Sequence, residues 1–260
     1  MWTWFHKLGS PPHFYRIAGK LAPWFGGLAA IALAVGTFKG LVLAPADYQQ
    51  GDGFRIIYVH VPSAYLSLMA YVVMATGAAI GLIWRMKLAH AVAAACAPIG
   101  ASFTFLALAT GSIWGRPMWG TWWEWGDARL TSELILLFLY LGYMALRASI
   151  DDTNKADRAS GVLAVVGVIN VPIIHYSVEW WSSLHQGATL AKFDQPSITG
   201  DMLTPLLINI IGFTLFFGAV LLIRARGEVL ERERHSRWVR RELLGDSAVR
   251  ENIPAGELQQ

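Results

Sequence analysis

The chain has 260 residues, of which 55% are hydrophobic and only 15% charged, far from the roughly 25% charged of an ordinary soluble domain. That balance excludes a soluble globular enzyme and predicts a multi-pass membrane protein. The net charge of +3 comes from basic residues beside membrane exits, where anionic headgroups attract them, so membrane lipid rather than nucleic acid is the expected partner.

The amino-terminal stretch, MWTWFHKLGSPPHFYRIAGK, is basic and aromatic. The apolar run after it is too long for a signal-peptide core and carries no small-residue cleavage site, so the first span is expected to be retained. About 20 apolar residues cross a bilayer as a helix. Runs of that kind occur at roughly Leu21 to Leu43, Pro62 to Trp84, Ala91 to Trp114, Ala128 to Ala148, Gly161 to Val178 and Leu203 to Ile223.

Two spans carry polar interruptions. The uninterrupted part of the fourth, LILLFLYLGYMAL, is too short to cross, so its helix must begin earlier and include Arg129 and Glu133, four apart on one face and expected to pair. Asn170 and Pro172 interrupt the fifth, which predicts a kink with a satisfied amide. The fold class is therefore an all-α integral membrane bundle of six helices, one domain over 1–224, with a Trp-rich connector between helices 3 and 4. Residues 225–260 form a basic tail of alternating charge, expected to make a short surface helix and then fray.

Lys and Arg mark the cytoplasmic side of membrane helices. The amino tail, the Arg85 and Lys87 turn, the Arg147 to Arg158 connection and the carboxyl tail hold sixteen of the twenty-one. Arg55, Arg116, Arg129 and Lys192, with Lys39 near the end of the first span, lie on the other side. Both termini are thus expected in the cytoplasm and the Trp-rich connector outside.

One cysteine, Cys96, falls inside the third span; this rules out a disulfide, a CxxC redox pair and a CxxCH haem-attachment site. No GxxxxGK[ST] is present, so any ATP-driven step needs another subunit. No acid–base dyad or nucleophile marks a conventional enzyme.

Three connectors meet on the outer side. The first, APADYQQGDGFRIIYVHVPSAY, brings His60 to the start of the second span. The second places Trp114, Trp119, Trp122, Trp123 and Trp125 in WGRPMWGTWWEWGDARLTSE. The third, HYSVEWWSSLHQGATLAKFDQPSITGD, carries His185 just beyond Trp180 and Trp181.

Indole rings gather at membrane interfaces as a belt, which accounts for Trp2, Trp4, Trp24, Trp84 and Trp238. Trp119, Trp122 and Trp123 stand at i, i+3, i+4, a spacing that on a surface helix predicts one continuous aromatic face. Such a face either dips into the headgroups or serves as a platform for a flat ligand. Imidazole is a haem axial ligand, and a porphyrin stacks on aromatic rings while its propionates need cations. His60, His185, the Trp face and Arg55, Arg116 or Arg129 together would satisfy a haem, whereas His6, His13, His90 and His235 belong to the opposite side. His175, inside the fifth span, reads as a supporting or packing residue, as do Trp180 and Trp181.

The segment WGRPMWGTWWEWGDARLTSELILLFLYLGYMAL resembles the WWD signature of the haem-handling proteins. With APADYQQGDGFRIIYVHVPSA and NVPIIHYSVEWWSSLHQG in the same order, the chain from about Pro11 to Arg224 is similar to the C component of bacterial system I cytochrome c maturation, CcmC. The resemblance implies a six-helix inner-membrane protein that holds non-covalent haem b at its periplasmic face and delivers it to a periplasmic chaperone, component E. His60 and His185 match the family's axial ligands, and Trp114 to Asp127 match its haem platform. The implied partners also include the ATPase and permease subunits A and B and the small membrane protein D.

In one respect the chain departs from the signature, because Gly126 separates Trp125 from Asp127. An extra residue rotates a helix by about 100°; glycine allows a loop or bulge to absorb it instead, leaving Asp127 to cap the fourth span. Two other readings stay open. A transporter that carries haem across needs an intramembrane polar path, for which Thr104, Thr110, Asn170 and Asn209 are the sparse candidates, with His175 nearer the outer end. A b-type electron-transfer cytochrome wants its ligands deep in facing helices, unlike His60 and His185.

Overall fold

The computed structural model describes residues 9–181, 183–185 and 198–243. Trp2, Trp4, His6, Lys192 and the tail from residue 244 lie outside the described residues. Among the described residues the fold is carried by α1 (Pro11–Phe38), α2 (Ile57–Trp84), α3 (Lys87–Trp119), α4 (Ala128–Ala148), α5 (Thr153–Gly167), α6 (Asn170–Trp180) and α7 (Gly200–Arg232). With a π-helical extension of α1 over Lys39–Leu43, a 3-10 turn over Asp52–Ile56 leading into α2, and α5 and α6 forming one broken span, six segments among the described residues are long and apolar enough to cross a membrane. The chain is a multi-pass, all-α membrane protein.

Local sequence explains most of the boundaries. Pro11 and Pro12 open α1, where the missing N–H costs nothing because the first helical amides have no partner in any case. The reversal between α2 and α3 needs only Arg85 and Met86, with Arg85 in the left-handed region at φ 54°. Asp152 caps α5 by accepting from Lys155 N at 2.8 Å. The fifth span breaks at Val168 and Ile169, and the buried Asn170 amide is satisfied by donating to the Ser132 carbonyl at 2.9 Å. The expected kink is therefore present, and its polar side chain ties α6 to α4.

Small residues decide which helices come close, because between membrane helices packing rather than a hydrophobic gradient drives association. α3 lies against α2, α4 and α7 and buries a run of small residues, Ala93, Ala94, Ala95, Cys96 and Ala97. At Gly100 an added Cβ would stand 2.1 Å from the Tyr140 ring, so only glycine lets that ring rest on the α3 backbone. The Tyr140 hydroxyl then donates to the Ser67 carbonyl of α2 at 2.8 Å, and its ring meets Tyr71 edge-on at 5.0 Å. One side chain thus joins three helices. α1 packs chiefly on α7, where Thr37 Oγ1 donates to Asn209 Oδ1 at 3.4 Å and Gly36 leaves room for the Asn209 side chain.

Helix α7 continues without a break past Ile223 to Arg232, burying Ala225 and Val229, so the first part of the basic tail is the last turns of a spanning helix. Trp24 and Trp84 are exposed, as interface anchors should be. Trp238 instead packs against Tyr15, with ring centroids 5.8 Å apart.

The two ends of the bundle differ in chemistry. At the end where α4 meets α5 and where α7 finishes, Asp157, 4% exposed, is a hub. Arg232 donates to it twice, at 2.6 and 2.8 Å, Arg147 donates to its Oδ1, and Arg147 also reaches Glu228 at 3.2 Å. The opposite end holds the candidate site.

Candidate functional site

His60 lies in the first turn of α2 and His185 in the connector after α6. The fold brings them to the same end of the bundle, where His60 is within electrostatic range of the His185 ring and of Arg129. Each ring has an oxygen facing its Nδ1. For His60 it is Thr110 Oγ1 of α3, at 2.9 Å. For His185 it is Asp127 Oδ1 at 3.8 Å, an ion-pair distance that leaves Nδ1 without a hydrogen bond.

Asp127 organises the loops. Its Oδ1 accepts from the backbone N–H of Arg129 at 2.9 Å and of Leu130 at 3.0 Å, which makes it the N-cap of α4 as the sequence predicts. Its Oδ2 accepts from Ser183 Oγ and from Leu184 N, both at 2.8 Å. A single carboxylate, 2% exposed, therefore fixes the start of α4, the third connector and the neighbourhood of His185. Burial alone would raise its pKa, but the facing His185 and the donors at Leu130, Ser183 and Leu184 hold it well below the usual carboxylate range.

The tryptophans are arranged differently from the helical face that their spacing predicts. Helix α3 ends at Trp119, because Gly120 takes φ +80° and its N–H closes on the Arg116 carbonyl. Beyond it, 121–127 is a non-helical loop, so Trp122 and Trp123 do not continue a surface helix with Trp119. Two edge-on pairs form instead: Trp114 with Trp119 at 5.1 Å, and Trp123 with Trp125 at 5.5 Å. Trp119 also packs on the His185 ring at 4.9 Å, while Trp114 Nε1 donates to Gln50 Oε1 at 3.0 Å and so holds the first connector. Trp123 Nε1 is buried without an acceptor; Trp122 and Trp125 are exposed. Gly126 lies in the turn before Asp127, and its N–H donates to Glu124 Oε1 at 3.1 Å. The extra residue is thus absorbed before the helix starts.

Of the three candidate propionate contacts, two are engaged elsewhere. Arg55 donates to Asp52 Oδ1, Gly40 O and Leu41 O, each at 2.9 Å, and Arg116 donates to the Gly120 carbonyl. Arg129 is half-buried and feels Asp127, Glu133 and His60 electrostatically, without an N–O contact inside 4 Å to either carboxylate. The expected Arg129–Glu133 pair is therefore a longer-range coupling. Glu133 sits buried beside Ser67, with Oε1 unpartnered.

His175 is exposed and meets only Tyr176 in a ring contact. Trp180 stacks on Tyr176 at 5.3 Å and meets Trp181 edge-on at 5.7 Å. Among the described residues, no ring contact joins these three to Trp114, Trp119 and His185. Thr110, Gln50 and Ser183 are site residues that sequence reasoning missed as such. Gln50 carried a faint signal, since it sits in the polar YQQGDG turn of the connector that leads to His60.

The CcmC family model, described as heme exporter protein C, matches residues 4–240 of the chain. Among curated proteins, heme exporter protein C of Escherichia coli K12 is 53% identical over 239 residues, covering 92% of this chain and 96% of that protein. The Haemophilus influenzae protein of the same name is 51% identical over 240 residues, 92% of this chain and 97% of its own length. The one from Bradyrhizobium diazoefficiens is 49% identical over 225 residues, 86% and 85% of the two chains. With the match spanning all six membrane segments and every residue of the His60, Trp119, Asp127 and His185 cluster, the chain belongs to the CcmC family.

Proposed function

We propose that the protein binds haem b non-covalently at the periplasmic face of the inner membrane and delivers it to the periplasmic haem chaperone, component E, for c-type cytochrome assembly. The observation that carries this reading is the pairing of His60 with His185 beside the Trp114–Trp119 indoles, each imidazole with an oxygen at Nδ1. A metal-bound histidine ordinarily has its second nitrogen turned to such an oxygen. Haem fits these residues: two imidazoles suit its iron, indole faces suit its ring, and the Arg129 guanidinium, without a side-chain hydrogen bond among the described residues, is a cation within electrostatic range of His60.

His60 and His185 would hold the iron, and Trp119 would hold the ring against His185. Asp127 keeps the third connector docked so that His185 stays within range of His60. Neither ligand is deep in the bundle, since one is in the first turn of a helix and the other is in a connector. A protein partner can therefore approach the bound ligand from the side, which suits a carrier better than an electron-transfer cytochrome. The orientation rests on the distribution of Lys and Arg, which puts the Asp157 end in the cytoplasm. Subunits A, B and D are the expected membrane partners by family.

The test is the absorption spectrum of the full-length protein purified in detergent, with and without each histidine. We expect a haem band extractable by acidified acetone in the parent, and clear loss or weakening of it in His60→Ala and in His185→Ala. A parent protein without haem, or both variants with undiminished haem, would overturn the proposal.

A further inference from the structure

The imidazole of His60 is seated on two consecutive residues of α3. Thr110 Oγ1 lies 2.9 Å from His60 Nδ1. The same hydroxyl is 2.7 Å from the Leu106 carbonyl, one turn back, and 3.2 Å from that of Ala107. A carbonyl can only accept, so the single hydroxyl proton is directed to Leu106 and the oxygen is left to accept from the imidazole. Gly111 supplies the space. A Cβ there would stand 3.1 Å from His60 Cε1 and 3.8 Å from Nδ1, with no other atom within 4 Å, so it is the Cε1–Nδ1 edge that lies on α3 and Nε2 is turned away from this step.

We propose that the Thr110–Gly111 step of α3 is a positioning seat that fixes His60 as its Nδ1–H tautomer and keeps Nε2 free as the ligating nitrogen. The seat rests on the reading of His60 as a haem ligand for its purpose, but not for its chemistry, which concerns this chain alone. Without the Thr110 hydroxyl, the Nδ1 proton loses the acceptor 2.9 Å away, and the ring is free to place the proton on Nε2, which then cannot bind a metal until the proton moves. Gly111 acts by shape: a methyl group there presses on Cε1 and forces the ring to give by a few tenths of an ångström.

The experiment uses full-length protein labelled with 15N at histidine, without haem, in detergent. Parent and Thr110→Ser should show His60 with a protonated Nδ1 and an unprotonated Nε2. Thr110→Val, of nearly the same shape, should show the two tautomers mixed or reversed. In haem-loaded protein, loss of haem to apomyoglobin should be roughly 10- to 100-fold faster for Thr110→Val, the usual scale for removing a partner of a metal-bound histidine, with Ser restoring most of it. Gly111→Ala should keep the tautomer and still release haem faster than the parent. Thermal unfolding of each variant identifies any that fail to fold, and Thr110→Ser and Gly111→Ala then carry the test. The seat is overturned if Thr110→Val keeps the parental tautomer and the parental release rate while His60→Ala loses haem. If His60→Ala retains haem, the haem reading falls, and the tautomer measurement decides the seat on its own.

Discussion

The Asp157 end and the His60 end of the bundle contain similar polar groups and use them in opposite ways. At Asp157 both carboxylate oxygens are taken, two guanidiniums converge on it, and Glu228 closes the cluster. At the His60 end, Trp123 Nε1, His185 Nδ1 and Glu133 Oε1 are buried without partners among the described residues. Buried polar groups are nearly always satisfied. Arg232 Nε is also an orphan, but the other two nitrogens of that guanidinium are bound to Asp157, whereas Nε1 is the only polar group of the Trp123 side chain, so the His60 end keeps hydrogen-bonding capacity that the Asp157 cluster largely spends on itself.

The comparison breaks most sharply at Asp157. Replacing it with Ala leaves Arg147 and Arg232 crowded without their shared partner, and removing one member of a buried ion cluster costs about 3–5 kcal/mol. We expect a large fall in the thermal unfolding midpoint in detergent. The ratio of haem to folded protein should be unchanged, and a variant that unfolds normally but loses haem would merge the two regions.

Asp127 is next. Ala at this position removes the α4 cap and the acceptor for Ser183 and Leu184, together costing about 1–3 kcal/mol, and should expose the third connector to proteolysis. Asn keeps the cap but loses the charge. Because the folded-state pKa of Asp127 is depressed, its ionised form contributes stability fully above the unfolded value of about 4. That contribution disappears as pH falls through the lower folded value. The difference in unfolding midpoint between the parent and Asp127→Asn should therefore hold steady from pH 8 to 5 and narrow below about pH 4. A difference that already disappears by pH 6 contradicts the depressed pKa.

The smallest expected effect is at Trp119, which meets both Trp114 and His185. Aromatic pairs are worth about 0.5–1.5 kcal/mol beyond the area they bury. Trp119→Ala should weaken haem retention by about that much and Trp119→Phe by less, with Leu resembling Ala. Equal retention in Phe and Leu variants would return Trp119 to the interface belt. Measuring haem on component E alongside separates retention from delivery.

The spans were legible because apolar runs of sufficient length carry their own signal, and the α4 boundary was legible because Asp127 directly precedes a helix-forming segment. The end of α3 was misread for a local reason. The spacing of Trp119, Trp122 and Trp123 matches a helix, but Gly120 directly after Trp119 is a helix stop that outweighs it. The rest is long-range. Thr110 is 50 residues from His60, Ser183 is 56 from Asp127 and Arg232 is 75 from Asp157. Periodicity and spacing report on neighbours within a few turns, so these partners appear only once the helices are packed.

The pairing of the first helix with the last has a consequence for biosynthesis. Thr37 and its partner Asn209 are separated by 172 residues, roughly 10 to 35 s of synthesis at about 5–20 residues per second. During that interval α1 is inserted but its chief neighbour does not yet exist, so its apolar surface must be covered by lipid or by another chain. Meanwhile α2, α3 and α4 join through neighbouring contacts as they emerge. The order of assembly is thus written in the topology: a middle that closes early, and a first helix that waits for the last to arrive.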